Sequence, residues 1–216
     1  MRIIKINRHR VTKRALREAV DVLRAGGVVV HPSESSYGLA ADPRNAAAVR
    51  RMFSMKSRSK GMSALVVAHS FGQAAKAVRL VGAIRKLARR HWPGPLTVVA
   101  PALGDFYVSG GERSEDLAIR VPASAWLRAL AREFGGPITS TSANVSGGAP
   151  AYSAAAVHRA FRGREPKPDL LLDAGRLPER PSTTLVRAKG GRIEVLRQGQ
   201  LKIESRTREA GSGKQA

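Results

Sequence analysis

Gly136-Pro137-Ile138-Thr139-Ser140-Thr141-Ser142-Ala143-Asn144-Val145-Ser146-Gly147-Gly148 is the stretch on which the reading of this chain turns. Pro137 to Thr139 reads as a strand, preceded by a helix expected over Ala125 to Phe134. Four hydroxyls and one amide then fall within the six residues Thr139 to Asn144. Ser and Asn favour turns, and Gly147-Gly148 agrees with one. In an extended segment, however, residues two apart share a face. Ser140, Ser142 and Asn144 would then form a line of small polar groups suited to a ligand's edge.

Outward from this stretch, apolar periodicity predicts alternating helices and strands. Thr12 is placed to cap a helix through Ala25, ended by Gly26-Gly27. Val28 to His31 reads as a buried strand stopped by Pro32. A helix is expected over Asn45 to Met55, then a short strand over Leu65 to Val67. Two helices fill Ser70 to His91. Strands follow at Leu96 to Ala100 and Leu117 to Val121. Beyond the quoted stretch come a helix over Ser153 to Phe161, opened by a Ser cap, and strands at Leu170 to Leu172, Thr184 to Val186 and Ile193 to Leu196. The alternation is irregular, which predicts an α/β class with a mixed, twisted sheet flanked by helices. No fixed-period repeat is present.

Length and composition bound the function. The 216 residues suit one domain with a substantial core, residues 1 to 201. Residues 202 to 216 are polar and read as a disordered basic tail. No apolar run approaches the ~18 residues of a membrane span, and no signal-peptide core follows the basic N-terminus. A cytoplasmic soluble protein is therefore expected. There is no cysteine, which excludes disulfides, thiol catalysis and cysteine-ligated metals. The five histidines lack metal-ligand spacing, and neither a Walker loop nor a Gly-x-Ser-x-Gly elbow occurs.

The net charge is +22, from 28 Arg and 10 Lys against 16 acids. Such a field attracts an RNA backbone. An Arg- and Ala-rich composition with ordinary solvated faces accounts for it as well. The cations are spread along the chain, with no dedicated nucleic-acid motif.

Two further features carry chemistry. Lys56 and Arg58 follow a helix end. They are either a solvated basic terminus favoured by the helix dipole or a phosphate site, combining a point charge with a planar fork. Arg120 lies within the apolar strand Leu-Ala-Ile-Arg-Val and needs a partner there. That partner is either a protein carboxylate or a ligand's.

Taken in order, the segments resemble the YrdC/TsaC family of threonylcarbamoyl-AMP synthases. The resemblance rests on Lys56-Ser57-Arg58 and Ser142-Ala143-Asn144, with four collinear motifs. These are Pro32-Ser33-Glu34-Ser35-Ser36-Tyr37-Gly38-Leu39, Trp92-Pro93-Gly94-Pro95-Leu96-Thr97, Leu117-Ala118-Ile119-Arg120-Val121-Pro122 and Pro181-Ser182-Thr183-Thr184. It spans about Thr12 to Leu201 and implies a single YrdC-like domain with a concave pocket. The implied activity is a nucleotidyltransferase reaction of tRNA processing, joining L-threonine, bicarbonate and ATP into threonylcarbamoyl-adenylate and pyrophosphate. A partner transferase complex would pass the group to tRNA.

The resemblance implies ATP contacts from Lys56, Arg58, Ser142, Asn144 and Arg197, with Lys56 and Arg58 catalytic. It implies threonine contacts from Ser35, Tyr37, Arg120, Ser140 and Ser182. Magnesium would be held mainly by the ATP phosphates, with no protein metal site. The chain departs from the pattern after Arg58, where Ser59 replaces the frequent proline and Met62-Ser63-Ala64 fills the approach to the next strand. Two alternatives stand beside this reading: a non-catalytic RNA-binding or ribosome-maturation factor on the same fold, and a carbamoyl-adenylate-forming relative.

Overall fold

Side chains that alternate along a strand address two different faces, and in this chain both faces find partners. The computed structural model describes residues 1–57, 62–189 and 192–203. Arg58, residues 59–61 of the altered Ser59–Ala64 loop, and residues 204–216 of the expected 202–216 tail lie outside them. Among the described residues there are six helices and eleven strands, divided between two sheets.

The first sheet is built from β1 (Arg2–Lys5), β2 (Val29–Pro32), β3 (Tyr37–Ala40), β8 (Thr141–Ser142) and β9 (Leu170–Asp173), in the order β1-β9-β2-β3-β8. The pairings of β1 and β2 with β9 are parallel, whereas β2–β3 and β3–β8 are antiparallel. Val28, Val30, Leu39 and Leu171 face α2 (Ala46–Met55) and α6 (Ala154–Phe161), packing on Val49, Met52, Phe53, Val157 and Phe161. The residues between them, Val29, Ala40, Leu170 and Leu172, face the opposite way. They pack on α1 (Lys13–Arg24) and α5 (Ala125–Phe134) through Ala19, Leu23, Trp126 and Leu130.

The second sheet runs β11-β10-β5-β6-β4-β7. Its strands are β4 (Val66–Val67), β5 (Leu96–Pro101), β6 (Asp116–Arg120), β7 (Ile138–Thr139), β10 (Thr184–Lys189) and β11 (Arg192–Arg197). Leu96, Val98, Leu117, Ile119 and Val186 form one core with Ala74 of α3 (Phe71–Ala77) and Ile84 of α4 (Gly82–His91). Their strand neighbours Thr97, Ala118, Arg120 and Leu185 therefore look out from the other face. This period-two alternation explains how a charged residue can sit within an apolar strand.

The helices follow their predicted spans closely, and Asn45, Ser70, Ser124 and Ser153 each accept a hydrogen bond at a helix N-terminus. Thr12 occupies the N-cap of α1, but its side chain makes no capping bond. Pro32 does not stop the preceding strand: it is the last residue of β2, where it pairs with Tyr37. Three strands were not predicted. β1 is a largely exposed edge, β3 contains a glycine, and β8 has only two residues.

One carboxylate ties α2 to the first sheet. Asp169 accepts from Arg51 Nη1 at 2.5 Å and Nη2 at 2.8 Å, and from the buried Val28 amide at 2.7 Å. Burial raises its pKa, but Arg51 and the amide outweigh that and leave it lowered. Asp169→Ala is expected to strand the Val28 amide and cost about 2 kcal/mol. For a chain of this size that is a fall of roughly 4–8 °C in Tm. Asp169→Asn, which keeps an acceptor, should fall less. Calorimetric melting of both variants checks this.

Candidate functional site

The 138–142 segment leaves one sheet and joins the other. Ile138 and Thr139 pair with β4 in the six-stranded sheet, while Thr141 and Ser142 pair with β3 in the five-stranded sheet. Ser140 is the residue between, its amide donating to the Leu65 carbonyl at 2.8 Å. The Thr139 hydroxyl accepts from the Ala41 amide at 2.7 Å, fastening the crossing point.

A cavity of about 450 Å³ opens where the two sheets meet, the size of a small-molecule site. Its walls combine Ser35, Tyr37 and Gly38 from the first sheet and its β2–β3 turn with Thr97, Ala118 and Arg120 from the second. Ser140, Thr141 and Ser142 line it at the crossing, and Ser182, Thr183 and Arg197 line the side near β10 and β11. The fold therefore brings seven of the ten predicted residues onto one cavity: Ser35, Tyr37, Arg120, Ser140, Ser142, Ser182 and Arg197. Lys56 and Asn144 lie behind the wall, and Arg58 is outside the described residues.

Arg120 is buried, and its Nη2 donates to Glu34 Oε2 at 3.2 Å. Glu34 Oε1 accepts from the Ser124 amide at 2.9 Å. Burial raises the Glu34 pKa, but Arg120 and neighbouring amides outweigh it and hold the carboxyl below its ordinary value. Arg120 thus has a protein carboxylate for a partner, yet it stays on the same cavity as Ser35, Ser140 and Ser142. Its Nε is buried with no hydrogen-bond partner.

Lys56 is not a solvated cation at a helix end, being only 2% exposed. Its ammonium donates to the Ser142 carbonyl, and to the Asn144 carbonyl at 2.7 Å. The Ser142 hydroxyl lies 3.5 Å away. Asn144 is buried, receives Lys56 at 3.4 Å through Oδ1, and donates to the Gly148 carbonyl. The expected line of three polar groups is therefore split. Ser140 and Ser142 face the cavity, whereas Asn144 anchors the turn, because the strand ends at Ser142.

The Tyr37 hydroxyl is committed elsewhere. It donates to the Gly175 carbonyl at 2.7 Å and accepts from the Ala174 amide at 2.9 Å; burial raises its pKa to about 12. On the β10 side, Arg197 Nη2 donates to the Thr183 carbonyl at 3.0 Å, and the Thr183 and Thr97 hydroxyls share a 2.7 Å bond. In the departing segment Ser63 lines the cavity, whereas Met62 is exposed.

Glu34, His31, Thr97 and Thr183 were not among the predicted site residues. Glu34 was visible as the one acid in a hydroxyl-rich motif. His31 carried no such signal. It is buried opposite Gly38, and a Cβ at Gly38 would come within 2.7 Å of its ring. Burial first of all lowers its pKa to about 4, and its Nε2 has no partner.

The Sua5/YciO/YrdC family, described as telomere recombination, matches residues 21–199. The chain belongs to that family. It is 41% identical over 174 residues to a protein of Thiobacillus denitrificans named threonylcarbamoyl-AMP synthase, covering 78% of this chain and 88% of the relative. A namesake from Halorhodospira halophila is 41% identical over 152 residues, covering 69% and 78%. Among solved structures, P. abyssi Sua5 complexed with L-threonine superposes with a TM-score of 0.80 at 30% identity. That match covers 92% of this chain and 58% of the Sua5 chain.

His31 also makes stability depend on pH. In the unfolded chain it protonates below about 6.5, but in the fold only near 4. Between these values the unfolded state binds more protons, so stability falls as pH falls, by roughly 3 kcal/mol at pH 4. His31→Phe is expected to flatten the decline in Tm between pH 6.5 and 4, measured against the parent protein in matched buffers.

Proposed function

We propose that this chain is a threonylcarbamoyl-AMP synthase, a nucleotidyltransferase that uses ATP. The observation that carries the reading is a buried guanidinium with an unpartnered Nε on a hydroxyl-lined cavity. It is supported by the relatives' names and by the L-threonine bound to P. abyssi Sua5.

In this reading the threonine carboxylate meets Arg120, a planar donor matched to it. Ser35, Ser140 and Ser182 supply hydroxyls around the amino acid, and the Tyr37 ring forms wall. The threonine amine takes up carbon dioxide to give a carbamate. A carbamate oxygen then attacks the α-phosphorus of ATP, the bond to the bridging oxygen breaks, and pyrophosphate leaves with the electron pair. Ser142, Arg197 and Arg58 hold the nucleotide and its phosphates. Lys56 adds positive charge from behind and, with Asn144, keeps the Ser142 turn in place. Charge stabilisation and positioning do the work, with no covalent enzyme intermediate. Magnesium would be held mainly by the ATP phosphates, where it would offset their charge.

The mixed anhydride product hydrolyses in water, so a walled cavity protects it. A transferase complex then carries the threonylcarbamoyl group to tRNA, and we assign the activity to the cytoplasm. Among the described residues, no helix is long and apolar enough to cross a membrane.

With ATP, magnesium, bicarbonate and threonine, the purified protein is expected to release pyrophosphate and form threonylcarbamoyl-adenylate, read by mass spectrometry. Release that ignores threonine would remove the substrate assignment. No release from folded, ATP-binding protein would favour the non-catalytic reading.

One observation favours direct contact with RNA as a second property. No acid occurs between Asp42 and Asp105. On α3, α4 and the link between them, the fold gathers the exposed Lys76, Arg79, Lys86 and Arg90. Beside these stand Arg85 and Arg89, whose guanidinium carbons lie 5.5 and 4.8 Å from the Phe71 ring centre. Binding of tRNA is expected to weaken steeply with salt in proportion to the phosphates contacted. Charge reversal on α4, Arg85→Glu with Arg89→Glu, should reduce that binding without changing adenylate synthesis.

A further inference from the structure

Glu34 is the point at which three parts of the site meet. It belongs to the Ser33–Ser36 turn, its Oε2 takes Arg120 of β6, and its Oε1 takes the amide of Ser124. Ser124 is itself the N-cap of α5, its hydroxyl accepting from Leu127. One carboxylate oxygen is therefore anchored to the second sheet and the other to the start of α5. The turn is also stitched within itself. The Ser33 hydroxyl donates to the Ser36 carbonyl at 2.7 Å and accepts from the Ser35 amide at 3.3 Å. Ser35 and Arg120 come from different sheets, yet one side chain links the turn of the first to the guanidinium of the second.

The ion pair is largely buried, with side-chain exposures of 7% for Arg120 and 16% for Glu34. A guanidinium has five N–H donors. Glu34 takes a bond through Nη2, while Nε is buried and unmatched. A buried donor without an acceptor is costly. The pair is thus complete enough to hold the guanidinium still and incomplete enough to need another acceptor.

We propose that Glu34 is a positioning residue for amino-acid recognition. It holds Arg120 at the cavity wall, where the guanidinium can meet the substrate carboxylate, and it sets the spacing between Arg120 and Ser35. Glu34 need not touch the substrate: it acts through Arg120. The inference rests on the proposed synthase activity and adds to it the residue that tunes affinity for the amino acid.

The test is steady-state kinetics of the full chain, with pyrophosphate release measured against threonine and ATP separately. Glu34→Gln preserves shape but removes the charge that fixes the guanidinium. It is expected to raise the threonine KM about tenfold, the effect of losing one charge-assisted contact. The ATP KM and kcat should stay within about twofold, because only amino-acid binding is disturbed. Glu34→Asp, which retains the charge with a shorter reach, should recover part of the loss.

The same Glu34→Gln change is then made in an Arg120→Gln background. If Glu34 works through Arg120, the change there should leave the threonine KM unaltered. An equal rise in both backgrounds would overturn the proposal, as would a normal threonine KM in Glu34→Gln. A uniform fall in kcat with no KM split would mark Glu34 as merely structural and overturn it too. Should Glu34→Gln fail to fold, Glu34→Asp is read by the same split and the same background comparison. The parent protein separates the two ideas: threonine-independent release there rejects the synthase reading, whereas threonine-dependent release with unaltered Glu34 variants rejects only the role of Glu34.

Discussion

The change of sheet at Ser140 is the constraint on which the rest of the structure depends. A chain that pairs with β4 at Ile138–Thr139 and with β3 at Thr141–Ser142 must bring the two sheets together at one residue. The cavity lies at that crossing, walled by Ser140, Thr141 and Ser142 and by residues of both sheets. The backbone at the crossing is exacting. Ser140 bonds back to Leu65, Thr139 exchanges bonds with Ala41, and Ala143 donates to the Tyr37 carbonyl. These bonds satisfy groups that a ladder would otherwise pair. They leave the Ser140 and Ser142 side chains on the cavity wall rather than in a core.

Alternation decides which residues of the second sheet serve the site. The face carrying Val98, Ile119 and Val186 belongs to the core, so the face carrying Thr97, Arg120 and Leu185 is left for the cavity. A one-residue shift in any of these strands would exchange the two sets. Arg120 is thus a largely buried charge that the register delivers to the cavity wall, and Glu34 is what makes that position tolerable. A buried pair of this kind is a weak source of net stability. Its value lies in orientation, since it holds a planar donor at a defined place between two sheets.

Much of this arrangement was legible from the residues. Helix spans followed from apolar spacing and from Ser, Asn and Gly at the ends, as in the helix from Ala125 to Phe134, predicted residue for residue. Ser35, Ser140, Ser142 and Arg120 were picked out because hydroxyls in a row and a charge in an apolar strand both ask for partners. The division into two sheets was not legible, because it depends on pairings across long separations. β8 has two residues, too short for a periodic signal, and β1 offers an exposed edge with little alternation. His31 was missed for a different reason: a histidine in a strand gives no sign that burial will keep it neutral.

Lys56 shows how the same composition can carry opposite meanings. A lysine after a helix in a chain of net charge +22 reads as one more solvated cation. In the fold it is enclosed, and its ammonium gathers the carbonyls of Ser142 and Asn144. An ammonium has only donors, so it suits a turn that presents two carbonyls to it. The Ser146 amide donates to the Lys56 carbonyl at 2.8 Å, closing the contact from the other direction. The end of α2 and the turn after β8 therefore hold each other in place. Ser57 therefore leaves this contact from a fixed point beside Ser142.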